Sequence, residues 1–190
     1  MSIQVENLCK SYGGQAVLRN VSFTAAPGRV TCLMAPSGAG KTTLLRILLG
    51  LERADSGRVR LPEDCRWSAV FQEDRLLPQL NAMGNLRFAL GAELDRAEAE
   101  SVLNQLGLGD VGEKKVRDYS GGMKRRLALA RALLAPSDAL VLDEPFTGLD
   151  EENRRLAWQC IRARASGKPV LLVTHDAADA AQEGCGLIHL

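Results

Sequence analysis

The chain has 190 residues, of which 46% are hydrophobic and 25% charged, and a formal net charge of +1. A chain of this length can bury about 70% of the surface that its unfolded form exposes, so it can fold as one domain without disulfides or a structural metal. The near-zero charge excludes a polyelectrolyte tail and a basic field for nucleic acid, and the lack of an apolar run of ~18 residues or a signal-type start predicts an intracellular protein without a membrane span.

Apolar stretches in the first part of the chain predict short strands at 3–5, 17–18, 21–23 and 30–34. The last of these is apolar almost throughout, which is typical of a strand covered on both faces. A loop with two glycines follows at 35–40, and we call it the phosphate loop because such a loop between a strand and a helix can present backbone N–H groups to phosphate oxygens. A helix is predicted over 41–49, with Gly50 as its stop.

The second part begins with predicted strands at 59–61 and 68–71 and is then helical in character. Within it, Asp95 and Glu98 have the spacing of a helix-capping pair. Strand patterns return at 139–142, 170–174 and 186–190.

Strands that alternate with helices favour an α/β core with a parallel sheet. We expect a single domain over residues 1–190. Its core would comprise 1–73 and 119–190, and 74–118 would form an inserted helical subdomain.

The phosphate loop lies between a strand and a helix, where backbone N–H groups and a helix N-terminus can bind phosphate oxygens. Lys41 would reach the β- and γ-phosphates of a nucleotide, and the Thr42 hydroxyl would hold Mg²⁺. The usual pattern begins with glycine, whereas this chain has Ala35, which is compatible with the loop if its φ is negative. The alternative is a plain strand–turn–helix with a surface lysine.

A second set of candidates follows the predicted strand at 139–142. Asp143 and Glu144 end that strand, which would bring them to the carboxyl edge of the sheet. We assign Asp143 to the metal and Glu144 to the water that attacks the γ-phosphate. Acidic residues also end strands for solubility alone, so the acidic pair indicates a catalytic site only in combination with the phosphate loop.

A Ser-Gly-Gly element at residues 120–122 precedes an amphipathic helical run and forms a second anion-binding helix start. Together with the phosphate loop and the acidic pair, it resembles the nucleotide-binding domain of the ATP-binding cassette (ABC) family, from Tyr12 to the end of the chain. The resemblance implies a P-loop NTPase core, mostly parallel, with N-terminal antiparallel strands and a helical insertion. It also implies ATP and Mg²⁺ as cofactors and a homodimer that holds ATP between its subunits.

The resemblance extends to single residues. Tyr12 is similar to the aromatic residue that stacks on adenine, Gln72 to the glutamine that touches Mg²⁺ and the attacking water, and His175 to the histidine at the γ-phosphate. Residues 148–150 resemble the loop that crosses the dimer interface. The implied nucleotide-binding set is Tyr12, Pro36, Ser37, Gly38, Ala39, Gly40, Lys41, Thr42, Thr43, Ser120, Gly121 and Gly122. The implied catalytic set is Glu144, His175, Gln72 and Lys41, and the implied metal set is Thr42, Gln72 and Asp143.

Two residues and one basic run near the Ser-Gly-Gly element need comment. Tyr119 stands where the family usually has leucine, and Met123 where it usually has glutamine. Met123 cannot make the side-chain amide hydrogen bond of a glutamine, while the contacts of Ser120 and Gly122 stay available. The basic run at 124–126 is interpreted as a solvated helix face rather than a nucleic-acid site.

The stretch 70–78 looks like the ATPase subunits of bacterial importers for nitrate, sulfonates and taurine. Its residues 76–78 would suit either a groove for a coupling helix of the membrane subunit or core packing. The partners expected are integral membrane permease subunits and a solute-binding protein, with no nucleic acid, and the location is cytoplasmic, on the inner face of the cell membrane. An exporter or lipoprotein-release ATPase is the alternative, and a soluble P-loop phosphotransferase or GTPase, or an ABC protein of DNA repair or translation, is disfavoured.

Overall fold

The computed structural model describes residues 2–36, 38–62, 64–181 and 185–190. Its residues group into two compact units. Unit 1 comprises Met1–Trp67, Asp138–Leu142 and Ala165–Leu190, and unit 2 comprises Ser68–Ser137 and Asp143–Arg164. The predicted division into a core and a helical subdomain at 74–118 stays a prediction.

Unit 1 contains an antiparallel sheet with the strand order β2-β1-β4. Its strands are β1 (Ile3–Tyr12), β2 (Gln15–Ala25) and β4 (Ser56–Arg60). The two short strands predicted at 17–18 and 21–23 are therefore one long strand, which follows β1 through several register shifts. Gly13 and Gly14 have φ of +55° and +83°, the left-handed conformation that a two-residue hairpin loop requires.

Unit 1 also contains the parallel sheet that the sequence predicted. Strands β6 (Ala139–Asp143, of which Ala139–Leu142 belong to this unit), β7 (Val170–Thr174), β3 (Val30–Met34) and β8 (Gly186–His189) are adjacent in this order. β3 is parallel to β7 and to β8. Every residue of β6 and β7 is buried, which explains their continuous apolar character. Helix α1 (Lys41–Leu48) and the short helix α6 (Ala177–Ala180) belong to the same unit.

Unit 2 is mainly helical. It begins within β5 (Trp67–Val70) and contains α2 (Ala82–Leu90), α3 (Arg96–Gln105), α4 (Gly121–Leu134) and α5 (Glu151–Arg164). Three 3₁₀ helices lie at Gly91–Glu93, Gly109–Val111 and Val116–Asp118. α4 packs against α2, α3 and α5, so it forms the centre of this unit.

The helix starts of unit 2 follow ordinary capping chemistry. The side chains of Asn81, Asp95 and Ser120 accept hydrogen bonds from the main-chain N–H groups of Gly84, Glu98 and Met123, respectively. Asp95 thereby caps α3 as predicted, with an Oδ1 to N distance of 3.0 Å, whereas the side chain of Glu98, the other member of the predicted pair, accepts a hydrogen bond from Arg164 instead. Within the part of the chain that is described, no helix is both long enough and apolar enough to span a membrane.

Candidate functional site

The phosphate loop connects β3 to α1 in unit 1. Gly38 and Gly40 have φ of +82° and +89°, a conformation that only glycine adopts at low cost. Gly40 is also crowded, because a Cβ there would lie 2.7 Å from Cδ2 of Leu18. At Gly38 a Cβ would meet nothing within 4 Å, so that side of the loop is open. Ser37, a predicted binding residue, lies outside the described residues.

The N-terminus of α1 is suited to an anion. Its N-cap residue, Gly40, offers no side-chain cap, and the first turn contains no acidic residue. The first N–H groups of a helix have no intrahelical partner, and the helix dipole places positive charge there. Thr42 is exposed and Thr43 half-buried in this first turn, so a phosphate group would find both N–H donors and hydroxyls.

Lys41 folds back over the start of the phosphate loop. Its Nζ donates hydrogen bonds to the carbonyl oxygens of Ala35 at 2.8 Å and Pro36 at 3.1 Å. Ala35 is buried, with 7% of its surface exposed, and its φ lies outside the left-handed region. The alanine methyl is therefore compatible with this backbone, as predicted.

His175 lies at the same edge of the parallel sheet as the phosphate loop. Thr174, the last residue of β7, pairs in register with Met34, the last residue of β3. His175 and Ala35 are consequently the first residues beyond two neighbouring parallel strands. His175 is exposed. The turn after it is held by Thr174, whose Oγ1 donates to Asp179 at 2.9 Å and accepts from the N–H of Asp176 at 3.1 Å.

Tyr12 lies at the end of β1 in unit 1, with 46% of its surface exposed. The ammonium group of Lys10 is 5.2 Å from the centre of the Tyr12 ring, within range of a cation–π interaction. Lys10 also forms ion pairs with Glu52 at 3.1 Å and Asp55 at 3.2 Å, and Asp55 accepts a hydrogen bond from the N–H of Ser11 at 2.7 Å. These contacts fix the end of β1 and leave the Tyr12 ring accessible for stacking.

The acidic pair belongs to unit 2. Asp143 ends β6 and is buried, with 8% of its surface exposed. Glu144 has φ of +51°, which is uncommon for a residue with a side chain and costs on the order of 1–3 kcal/mol. Such strain is retained where surrounding contacts impose it, so the surroundings of Glu144 matter.

Arg125 on α4 supplies those contacts. Its Nε and Nη2 donate to the carbonyl oxygen of Glu144 at 3.1 and 2.8 Å, and Nη2 also donates to that of Asp143. Its Nη1 donates to the carbonyl oxygen of Phe71 at 2.6 Å and to Asp74 Oδ1 at 3.0 Å. The main chain on both sides of Glu144 is therefore tied to α4.

These contacts correct the interpretation of the basic run. Arg125 and Arg126 are 4% and 8% exposed, so the run is not a solvated face. Nη1 of Arg126 donates to the carbonyl oxygens of Leu106 at 2.7 Å and Gly107 at 3.0 Å, and burial lowers its pKa. The physical reason is that main-chain carbonyls satisfy both guanidinium groups, and no sequence pattern reveals such partners.

Gln72 lies just after β5 and is exposed. Residues 72–78, which begin with it, are called the Gln72 segment. Asn85 on α2 holds this segment, because its side chain accepts from the N–H of Leu77 at 2.7 Å and donates to the carbonyl of Leu77 at 3.1 Å. Leu76 and Leu77 are half-buried and Pro78 is exposed. Both interpretations of residues 76–78, a partner groove and core packing, stay predictions.

The Ser-Gly-Gly element forms the N-terminus of α4. Ser120 Oγ caps the helix by accepting from the N–H of Met123 at 3.2 Å. A Cβ at Gly122 would lie 3.0 Å from the carbonyl oxygen of Gly148, whereas one at Gly121 would meet nothing within 4 Å. Ser120 and Gly121 are exposed, so this helix start is open to a ligand or a second chain.

Comparison with known proteins agrees with these features. A family model described as "ABC transporter" matches residues 18–147. The Nod factor export ATP-binding protein I of Paraburkholderia xenovorans is 40% identical over 92% of this chain and 62% of its own length. The aliphatic sulfonates import ATP-binding protein SsuB 1 of Streptomyces avermitilis is 39% identical over 94% of this chain and 69% of its own length.

Among solved structures, one titled "Structure of ATP binding subunit of ABC transporter" aligns with the whole chain and 86% of its own length, with a TM-score of 0.86 and 26% identity. A bacterial Atm1-family ABC exporter with ATP bound aligns with the whole chain and 36% of its own length, with a TM-score of 0.85 and 25% identity. These similarities confirm the predicted P-loop fold. The chain spans only about three-fifths of the length of the Nod factor relatives. By the family model and the relatives together, the chain belongs to the ABC transporter family.

Proposed function

We propose that the chain is the ATP-binding and ATP-hydrolysing subunit of an ABC transporter. The observation that carries the proposal is the phosphate loop, with two left-handed glycines and an uncapped helix start after a buried parallel strand. This arrangement presents N–H groups and positive charge to phosphate oxygens. Lys41 lies over the loop, where it would move from the loop carbonyls to the β- and γ-phosphates.

The residues proposed to hold Mg²⁺ are Thr42, Gln72 and Asp143, and each carries an oxygen donor of the kind that this ion prefers. Thr42 offers a hydroxyl and Asp143 a carboxylate, and Mg²⁺ in nucleotide sites binds through one or two carboxylates together with substrate phosphates. Among the described residues no three His, Cys, Asp or Glu side chains are grouped for a metal, which this mode of binding does not require. When bound, Mg²⁺ neutralises the charge that develops on the phosphate oxygens.

Hydrolysis needs a group that orients water and accepts its proton. Glu144 is the proposed general base, Gln72 and His175 orient the water and the γ-phosphate, and Tyr12 stacks on the adenine. Ser120, Gly121 and Gly122 would bind the nucleotide of a second subunit, so the working form is a homodimer with ATP between its subunits. The exposed start of α4 supports this proposal.

We further propose that the homodimer drives import of a small organic or inorganic anion, such as a sulfonate or nitrate, through integral membrane permease subunits that receive substrate from a solute-binding protein. The likeness to SsuB 1, named as an aliphatic sulfonates import protein, supports this role. It would place the chain on the inner face of the cell membrane. Export is the second candidate, because relatives named for Nod factor export are equally similar. The membrane subunits can be identified by copurification with this chain. Transport assays of the purified complex in vesicles of both orientations then show whether ATP drives solute into or out of the cell.

The Glu144→Gln variant tests the enzymatic proposal. We expect it to bind ATP as tightly as the wild-type chain, to lose about 10²–10⁴-fold in turnover, and to elute as a dimer with ATP and Mg²⁺ in gel filtration. Glu93→Gln, which changes an exposed glutamate outside the proposed site, is the matched control and should keep wild-type turnover. Unchanged hydrolysis by Glu144→Gln, or a monomer under all conditions, would contradict the proposal.

A further inference from the structure

The guanidinium group of Arg125 donates several hydrogen bonds in the part of unit 2 around Glu144. All three of its nitrogens donate hydrogen bonds, and four of the five contacts go to main-chain carbonyls. Within the part of the chain that the structure describes, the charged partner of Arg125 is Asp74. A simple buried ion pair would need only the carboxylate, so the arrangement of the carbonyls requires a different explanation.

Two of these carbonyls define the conformation of Glu144. The carbonyl of Asp143 belongs to the peptide plane before the Glu144 Cα atom, and the carbonyl of Glu144 belongs to the plane after it. Arg125 donates to both. The angles φ and ψ of Glu144 are the rotations of these two peptide planes about their bonds to the shared Cα atom. Because Arg125 holds both planes, one guanidinium group fixes both angles of Glu144, including its left-handed φ of +51°.

A third carbonyl extends this control to the neighbouring segment. The carbonyl of Phe71, 2.6 Å from Nη1 of Arg125, belongs to the peptide plane that joins Phe71 to Gln72. The guanidinium group of Arg125 therefore fixes both the peptide at which the Gln72 segment begins and the backbone conformation of Glu144. Asp74, 3.0 Å from Nη1, holds the segment two residues further along.

We propose that Arg125 is a positioning residue for hydrolysis, which holds Glu144 in its left-handed conformation at a fixed distance from the Gln72 segment. The proposal rests on the role of Glu144 as general base given above. Arg125 does not bind the nucleotide in this scheme, so its loss affects the turnover number and leaves ATP affinity intact. Misplacement of a reacting group by ~1 Å can cost about 10²-fold in rate, which sets the scale of the expected effect.

Lysine cannot replace arginine in this role. The guanidinium group presents five donors in a rigid plane, whereas an ammonium group is a point donor on a flexible stem. Arg125→Lys keeps the charge and most of the stem, and it therefore separates the positioning function from the electrostatic one. Arg131 on the same helix provides the matched control, because it donates to the carbonyls of Asp74 at 2.8 Å and Arg75 at 2.6 Å. These hydrogen bonds hold the Gln72 segment and do not go to the carbonyls on either side of the Glu144 Cα atom.

The test compares the full-length wild-type chain with Arg125→Lys, Arg125→Met and Arg131→Met. The measurements are ATP affinity by equilibrium titration, kcat and KM for ATP hydrolysis, thermal unfolding, and the crystal structure of each folded Arg125 variant. We expect both Arg125 variants to bind ATP within about threefold of wild type and to lose about 10–100-fold in kcat, and Arg131→Met to keep its kcat within about threefold. In the crystal structures, Glu144 should leave the left-handed region. If Arg125→Met does not fold, Arg125→Lys carries the comparison.

Two results would overturn the proposal. One is a kcat of the Arg125 variants equal to that of Arg131→Met, and the other is a variant structure in which Glu144 keeps its left-handed φ. The second result is decisive even if the wild-type chain does not hydrolyse ATP. Failure of the wild-type chain to bind or hydrolyse ATP would instead contradict the proposed function, so the two failures are distinguishable.

Discussion

Gly40 lies directly against Val17: a Cβ on Gly40 would be 2.9 Å from the carbonyl oxygen and 2.9 Å from Cγ1 of Val17. The antiparallel sheet of unit 1 therefore supports the end of the phosphate loop through the backbone of β2. The residue before Lys41 must satisfy two conditions at once, a left-handed φ and the absence of a side chain.

Substitutions at the two glycines of the phosphate loop distinguish these two conditions, because both glycines have a left-handed φ but only Gly40 is crowded. Gly38→Ala meets only the strain of its φ, which costs on the order of 1 kcal/mol. Gly40→Ala meets similar strain and a clash with Val17, and overpacking adds about 1–3 kcal/mol. We expect Gly40→Ala to lower the free energy of unfolding in urea by the larger amount and to weaken ATP binding more. Equal losses for the two variants would show that the contact with Val17 carries no energy.

Lys41 and Ala35 form the second pair of tests. Lys41→Met should abolish measurable ATP binding in an equilibrium titration. It should leave the thermal unfolding temperature nearly unchanged, because the contacts that Lys41 makes with the described part of the loop are two hydrogen bonds to main-chain carbonyls. Ala35→Gly should keep ATP affinity within about twofold, since the backbone there already suits alanine, and should cost about 0.4–1 kcal/mol in stability through the unfolded chain. A large gain in affinity for Ala35→Gly would mean that the native loop is impaired.

Ser120 combines a cap with a proposed nucleotide contact, and two variants separate them. Ser120→Ala removes the cap on α4 and should lower the free energy of unfolding by about 1 kcal/mol. Ser120→Asn restores a cap of similar quality but changes the group offered to the second subunit's nucleotide. We expect Ser120→Asn to unfold like wild type in urea and to impair ATP-dependent dimerisation in gel filtration. Wild-type dimerisation of Ser120→Asn would show that the hydroxyl makes no specific contact.

The Asp55 network predicts a pH dependence. The N–H of Ser11, and then Lys10, lower the pKa of Asp55 below its ordinary value. The stabilisation from ionised Asp55 is therefore complete above the ordinary aspartate pKa of ~3.9 and is lost as the pH falls through the lower pKa of the folded state. Asp55→Asn should flatten the dependence of urea unfolding on pH below 4. An identical curve for the two proteins would exclude this contribution.

The opposite sign holds for Lys10. Glu52, and then Asp55, raise its pKa. Its contribution is complete below the ordinary lysine pKa of ~10.4 and disappears as the pH rises through the higher folded value. The end of β1 and the Tyr12 ring should therefore keep their arrangement throughout the neutral range.

Much of the fold could be predicted from the sequence because the informative residues are local. The buried strand β3, the phosphate loop and α1 follow one another directly, so apolar runs and glycines mark them. The cap at Asp95 is equally local. The boundaries of β2 were less predictable, because pairing with β1 through register shifts extends the strand across polar residues such as Arg19 and Asn20.

The environment of Arg125 could not be predicted, because its partners are main-chain carbonyls of distant residues. Every residue has a carbonyl, so no residue type marks a partner of this kind. Three adjacent basic residues on a helix are ordinarily solvated, and only the central position of α4 in unit 2 makes two of them buried. The role of Asn85 could not be predicted for the same reason, because its partners are the main-chain N–H and carbonyl of Leu77.

The position of β8 has a consequence for how the chain folds during synthesis. β8, near the end of the chain, pairs with β3, which leads into the phosphate loop. Pairings between residues so distant in sequence form slowly. All residues from β3 through β8 must therefore have left the ribosome before β3 has both of its neighbours, and the strand that leads into the phosphate loop is fully paired only then.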